Sequence, residues 1–292
     1  MVNAFYPKTL KDALKVRKET ASKSLIICGG SDVMVIHKRA ENVIFINQIK
    51  ELQKVSFEDG VLSIGAGVVY SNLLKNESIP SILKAAISLI ASPAIRNVGT
   101  VAGNICNASP AGDTLPVLYA LNAKVLVASL NDENEICKKE IPVQDFILGI
   151  RKIALKDDEI VCAINIEEKE YKDYSVYYQK VGARQSEAIS KASFAALGKV
   201  LSADDGKKIE DVQFAFGSVG ITVVRLAEYE DEIKGLTVSD FKQKKNELVV
   251  KIMSRVNPID DQRSTAEYRK TVCRNLLEDF FDGLCDFEKE AS

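Results

Sequence analysis

Two stretches of the chain concentrate the residue types that hold a polyoxygenated ligand. In the first, Ile26, Ile27, Cys28, Gly29, Gly30, Ser31, Asp32 and Val33, a glycine pair follows a short apolar run. Glycines there let the backbone turn sharply and keep Cβ atoms off anything lying on it, while successive N–H groups make a nest for phosphate oxygens. Ser31 adds a hydroxyl. Asp32 would repel a pyrophosphate aimed at it and is expected to accept local N–H bonds or a ribose hydroxyl. The pattern is neither GxGxxG nor a loop ending in GK[ST], so neither a dinucleotide Rossmann site nor an ATPase has motif support. Taken alone, GGSD is equally a tight turn with a capping serine or aspartate.

The second stretch, RNVGTVAGNICNASPAGD at residues 96–113, carries three glycines, three asparagines and one aspartate. Gly99 and Gly103 flank Thr100, Val101 and Ala102, which sets small side chains and backbone donors side by side. Asn104, Asn107, Ser109 and Asp113 bring amide, hydroxyl and carboxylate groups. Nearby, Ile90 offers an apolar surface and Arg96 a cation. One reading is a ligand-binding wall and the other a surface loop of turn formers. Eighteen residues without an expected regular element exceed an ordinary connection, which favours the wall.

Other chemistries find little support. Lys and Arg number 39 against 41 Asp and Glu, a formal charge of 39 − 41 = −2, so no basic field exists to hold nucleic acid. Six cysteines at 28, 106, 137, 162, 273 and 285 form no CxxC pair, and His37 is the single histidine, which argues against a transition-metal or iron–sulfur site in this chain. The cysteines, Cys106 included, are expected to be reduced and to pack as small hydrophobes. No run approaches eighteen apolar residues and the start lacks a signal-peptide pattern, so the expected location is cytoplasmic.

The elements that must position these stretches follow from periodicity. Thr9 and Asp12 mark the start of a helix over 10–20, SLIICGG gives a buried strand, and NVIFIN (42–47) gives a second. VLSIGAG (61–67) is a strand, 70–76 and 79–91 are helical with Pro93 as the stop, and PVLYALNA is a short helix. KVLVASL (124–130) and EIVCAINI (159–166) are strands, DFILG a brief helix, and EEKEYKD (167–173) a linker. Beyond it YSVYYQKV is a strand whose Tyr177 and Tyr178 suit a sheet core with Phe194. Segments 190–201 and 211–218 are expected as a strand hairpin and 224–234, 238–255 and 264–283 as helices. KKE near 138 and KQKK near 242 read as solvated loops or helix faces. The layout is α+β: residues 1–170 as a two-part ligand-binding domain, a small α/β unit plus a mixed α+β unit, then 171–292 as a domain with a small antiparallel sheet and helices.

In five blocks the chain resembles the FAD-binding subunit of the molybdenum hydroxylases, the group of xanthine, nicotinate and aerobic carbon monoxide dehydrogenases. These are IICGGSDVMV, RNVGTVAGNICNASPAGDTLPVLYALNAKVLV, YYQKVGARQSEAIS, GSVGITVVRLAEYEDEIKG and DDQRSTAEYRKTVCRNLL. TVAGNICNASPAGD is the most specific of them. Ala102 stands where the family more often has glycine, and its methyl would crowd a backbone of positive φ; Thr222 replaces a frequent proline.

The resemblance implies that residues 26–33 wrap the FAD pyrophosphate and that Thr100, Val101, Ala102, Gly103 and Asn104 close a second wall. It further implies that Asp113 holds a polar group of the cofactor, that Ile90 and either Ile160 or Val161 pack near it, and that Lys180 is a flavin-side cation, with Arg184 structural. No acid–base catalytic residue is required. Electrons would come from a [2Fe–2S] subunit and leave for NAD+ or another acceptor, while a purine or other N-heterocycle is hydroxylated on a large molybdopterin subunit, within a higher assembly. Two other classes are a self-contained flavoprotein oxidase, which would require an acid–base residue beside the flavin and for which His37, flanked by lysine and arginine as a solvent-facing residue would be, is too weak a candidate, and a non-catalytic nucleotide-binding scaffold.

Overall fold

The computed structural model describes residues 2–36, 40–184, 186–203 and 206–286. The chain folds as two compact units, neither of them one continuous run: residues up to Pro80, Ile90–Ser109 and Asn122–Glu170 form the first, and residues 81–89, 110–121 and those from Tyr171 onward form the second. The α+β class is as expected, with parallel and antiparallel sheets each packed against helices.

In the first unit the helix Leu10–Thr20 starts where Thr9 and Asp12 predict. The Thr9 hydroxyl accepts from the Asp12 N–H at 3.1 Å and donates to its carboxylate at 2.7 Å. Leu10, Ala13 and Leu14 lie on one face and enter a core with Ile44, Ile46, Ile49, Leu52, Leu130 and Ile160. A three-stranded parallel sheet runs in the order Asn3–Phe5, Asn42–Phe45, Ser24–Ile27. The strand before the glycine pair is therefore an edge strand, half-buried at all four positions, and not the buried strand expected from its apolar composition. After the pair comes an unexpected helix, Ser31–Ile36.

A five-stranded antiparallel sheet completes this unit, ordered Val55–Glu58, Val61–Gly65, Ile160–Glu167, Lys124–Leu130, Ile136–Pro142. The KKE run is thus an exposed edge strand, not a loop or helix face; lysines on an edge discourage pairing with another chain. DFILG splits into the helix Val143–Phe146 and the strand Ile147–Gly149.

The largest departure falls on residues 96–113. Val101–Asn107 is a helix, and a shorter one, Pro93–Arg96, precedes it. Pro93 therefore starts a helix rather than stopping one, in the first turn where its missing N–H costs nothing. The helix expected over 79–91 is the shorter Ser81–Ser88, and Ala91 turns the chain at φ 39°. Glycine and two asparagines make Val101–Asn107 a weak helix by propensity; burial of Val101, Ala102 and Ile105 holds it in place.

The second unit is built on a four-stranded antiparallel meander: Ser175–Val181, Ala192–Ala203, Gly206–Gly217, Val224–Arg225. Phe194, Phe214 and Phe216 project from its core face, and Phe241, Phe280 and Phe281 meet them from the helices Val238–Arg255 and Ala266–Asp286. Phe281 stands edge-on to Phe214 at 6.2 Å and to Phe241 at 5.0 Å. The helix Ala227–Ile233 adds Ile233 to the same core, and Leu115–Ala120 lies on the sheet with every side chain buried. Among the described residues no helix is long and apolar enough to cross a membrane.

Candidate functional site

The two glycine-containing turns of the first unit pack together. A Cβ placed on Gly29 would sit 2.0 Å from the Val98 carbonyl oxygen and 2.6 Å from its carbon, so backbone lies directly on backbone. Gly30 has φ +71°, a conformation open to glycine, and its carbonyl accepts the Met34 N–H as the helix Ser31–Ile36 begins. Gly99 faces the Tyr70 ring and its carbonyl accepts the Tyr70 N–H at 2.9 Å. Thr100 then caps the next helix, its hydroxyl oxygen accepting the Gly103 N–H at 2.9 Å. Two helices thus start from one backbone crossing, and the first N–H groups of a helix have no acceptor within it.

The residues expected to hold a ligand divide by what they expose. Gly103 and Asp32 are exposed, Ile27, Gly29, Gly30, Ser31, Val33 and Asn104 half-buried, and Thr100, Val101 and Ala102 buried. Ala102 is helical and only 5% exposed, so its methyl fills core space and the anticipated crowding at positive φ does not arise. Ile26 and Cys28 pack against the core that contains Ile160. With 0% exposure Ile160 backs the cradle without lining it, and Val161 is also buried. Ile90 is half-buried, and Arg96 donates to its carbonyl at 2.6 Å and to that of Ala91 at 3.3 Å. Arg96 therefore serves the backbone beside Ile90. His37 lies outside the described residues.

A second polar cluster belongs to the other unit. Lys180 Nζ donates to Asp113 Oδ2 at 2.6 Å and to the Leu89 carbonyl at 2.9 Å, with the two side chains 6% and 12% exposed. The Ser190 hydroxyl donates to Asp113 Oδ1 at 2.7 Å and the Tyr178 hydroxyl to the Asp113 carbonyl at 3.1 Å. Burial raises the Asp113 carboxyl above the usual aspartate range, with Lys180 and Ser190 pulling the other way. Tyr178 is pushed well up by burial and by the nearby carboxylate, which keeps its hydroxyl a donor. Ser190 and Tyr178 carry no spacing signal that marks them as partners of Asp113.

Burial also pushes the Cys28 thiol up to about 11 and the Cys106 thiol up to about 12, so both stay neutral and unreactive at ordinary pH. Arg184 donates to the carbonyls of Ser186 and Glu187, a structural use. Among the described residues no three His, Cys, Asp or Glu side chains gather as metal ligands do.

Comparison with known proteins identifies the family of the chain. Residues 1–167 match the family described as the FAD binding domain in molybdopterin dehydrogenase, and residues 177–284 match the CO dehydrogenase flavoprotein C-terminal domain. The chain belongs to this flavoprotein family. It is 28% identical over 275 residues to the glyceraldehyde dehydrogenase medium chain of Sulfolobus acidocaldarius, covering 92% of this chain and 93% of that one. It is 32% identical over 197 residues to the nicotinate dehydrogenase FAD-subunit of Eubacterium barkeri, 64% of each chain. The fold matches a chain of reconstituted CO dehydrogenase from Oligotropha carboxidovorans with a TM-score of 0.85 at 21% identity, over 96% of both chains. Family membership makes this protein the FAD-binding subunit of a multi-subunit oxidoreductase of the molybdenum hydroxylase type.

Two substitutions probe the geometry. Gly29→Ala drives a methyl into a carbonyl that cannot rotate away, and is expected to lower stability by about 1–3 kcal/mol in urea unfolding; an unchanged midpoint would show that the two turns do not touch. Lys180→Met leaves a buried carboxylate without its cation, at an expected cost of about 3–5 kcal/mol. Adding Asp113→Asn should return part of that loss, and a double variant less stable than the single one would contradict the pairing.

Proposed function

We propose that the chain takes electrons from a separate iron–sulfur subunit carrying [2Fe–2S] clusters and delivers them to NAD+. On this reading a third, molybdopterin-carrying subunit hydroxylates the substrate, a purine or other N-heterocycle, and the complex works in the cytoplasm. The single observation that carries the reading is the paired-turn cradle inside a chain of this family. The relatives named as subunits of glyceraldehyde and nicotinate dehydrogenases support a division of labour between chains. Six cysteines without cluster-binding spacing favour an iron–sulfur group held elsewhere.

The residues fit the cofactor by their chemistry. Backbone N–H groups from Gly29 to Val33 would hold the pyrophosphate oxygens, with the Ser31 hydroxyl beside them and Asp32 turned to a ribose hydroxyl or to solvent. Thr100 to Asn104 would form the second wall, where Gly103 is exposed and keeps a Cβ out of the ligand's path. Ile90 would supply apolar contact to the ring, its backbone held by Arg96. Asp113 accepts two side-chain bonds and a carboxylate has about four acceptor sites, so it keeps capacity for a cofactor hydroxyl or N–H. Lys180 has one N–H beyond the two already engaged, and that donor would face negative charge near the ring. Bound FAD supplies the redox chemistry; the chain supplies position, electrostatics and exclusion of water.

Purification of the native complex followed by substrate and acceptor screens tests this division of labour. Flavin reduction by substrate only in the presence of iron–sulfur and molybdopterin chains, with NAD+ reduced in turnover, is the expected result. Substrate oxidation by this chain alone would establish a self-contained oxidase instead. Gly103→Val is expected to weaken FAD retention about tenfold or more on ultrafiltration, because its side chain enters the backbone approach and presses the capping hydroxyl of Thr100, 3.1 Å from the added Cβ. Wild-type retention would remove this wall from the site.

A further inference from the structure

Arg269, on the helix Ala266–Asp286, is only 5% exposed although it lies 156 residues beyond Asp113. Its Nη2 donates to Asp261 Oδ1 at 2.6 Å and its Nη1 to the Ser218 carbonyl at 2.7 Å. Asp261 is itself fixed, accepting the Arg263 and Ser264 N–H groups, and these bonds hold its carboxyl below the usual range. Ser218 has φ +65°, costly for a residue with a side chain, so the surrounding contacts must impose it. In that conformation the Ser218 N–H donates to the Pro110 carbonyl at 3.0 Å. The preceding residue, Gly217, lies against Pro116, whose Cγ would be 2.5 Å from an added Cβ. Gly217 and Ser218 thus form a shelf touching the 110–121 segment on both sides of Asp113. Arg269 Nε and Ser218 Oγ are both buried without a protein partner, capacity that a bound water would take up.

We infer that Arg269 is a positioning residue for Asp113: clamped by Asp261, it holds Ser218 in its left-handed turn and so sets the segment that presents Asp113, with Lys180 and Ser190, to the cofactor. The inference rests on Asp113 contacting FAD as proposed above. Its content is that a guanidinium with no part in the cradle determines flavin binding through one carboxylate.

A double-mutant cycle in the full-length chain tests it, with FAD affinity read by flavin fluorescence and far-UV circular dichroism as the control for folding. Arg269→Met and Asp113→Asn should each weaken FAD binding about tenfold, and the double variant should be no weaker than Asp113→Asn alone, because the two act through one contact. Asp261→Asn loosens the clamp while keeping the arginine and should show the same lack of additivity, which serves if Arg269→Met does not fold. Additive losses, or clamp variants with wild-type affinity, would overturn the positioning role while leaving Asp113 as a cofactor contact. Wild-type affinity in Asp113→Asn would overturn both.

Discussion

The first unit depends on one backbone crossing, where Gly29 lies on the carbonyl of Val98. At 2.0 Å from a hypothetical Cβ a side chain is admitted only if main chain itself shifts, because the obstacle is a backbone carbonyl. The geometry of both turns follows from that approach. The edge strand Ser24–Ile27 delivers Gly29 and Gly30 to the crossing, Gly30 turns the chain at φ +71°, and the helix Ser31–Ile36 leaves from it. On the other side Gly99 leans on Tyr70 and Thr100 caps Val101–Asn107. The two turns differ in how they use their glycines. Gly29 and Gly99 use the missing side chain for internal packing, whereas Gly103 is exposed on the first turn of its helix.

The second unit solves a different problem: the segment 110–121, which carries the charged Asp113, has to be laid across a strongly aromatic sheet. Its helix Leu115–Ala120 is apolar and buries completely, which settles most of the segment by ordinary hydrophobic packing. Its two ends are fixed by donors that meet backbone carbonyls. Arg225 donates to the Tyr119 carbonyl while its guanidinium pairs with the buried Glu230, and Ser218 takes the Pro110 carbonyl. Burial raises the Glu230 carboxyl, with Arg225 and the Phe214 N–H opposing, so this pair too is a structural clasp under desolvation. Between these two anchors sits Asp113.

Local rules made much of the fold legible. The Thr9–Asp12 cap, the strands Val61–Gly65, Lys124–Leu130 and Ile160–Glu167, the hairpin on either side of 203–206 and the three closing helices follow from periodicity and capping within a few residues, whereas Val55–Glu58, Ile136–Pro142 and Val224–Arg225, the last in place of the first turn of an expected helix, do not. Errors arose where tertiary packing overrides local preference. Val101–Asn107 has too much glycine and asparagine to announce itself, and once it forms, the 96–113 stretch is no longer an overlong loop. The length of that stretch therefore carries no argument for a site. Interleaving of the units is invisible for the same reason: residues 81–89 and 110–121 read as ordinary helix and loop, and only long-range packing assigns them to the second unit. Arg96 and Arg269 look like free cations in the sequence, yet both are committed to carbonyl oxygens.

The Lys180–Asp113 pair is an electrostatic unit different in kind from a free cation. A solitary buried lysine would present a full positive charge, at a desolvation cost that favours losing its proton. Paired at 2.6 Å with a carboxylate, it presents a dipole whose field falls off faster and whose direction is set by the partners of both ends. Such a pair adds little net stability compared with two apolar side chains of similar size. What it does supply is orientation: Ser190, Tyr178 and the Leu89 carbonyl hold the two charges so that the unused donor of Lys180 and the unused acceptor sites of Asp113 have fixed directions. Preorganised dipoles of this kind cost no reorganisation when charge changes nearby, whereas a mobile cation would have to move with it. That demand for fixed direction explains why so many neighbouring groups are committed to holding a single aspartate.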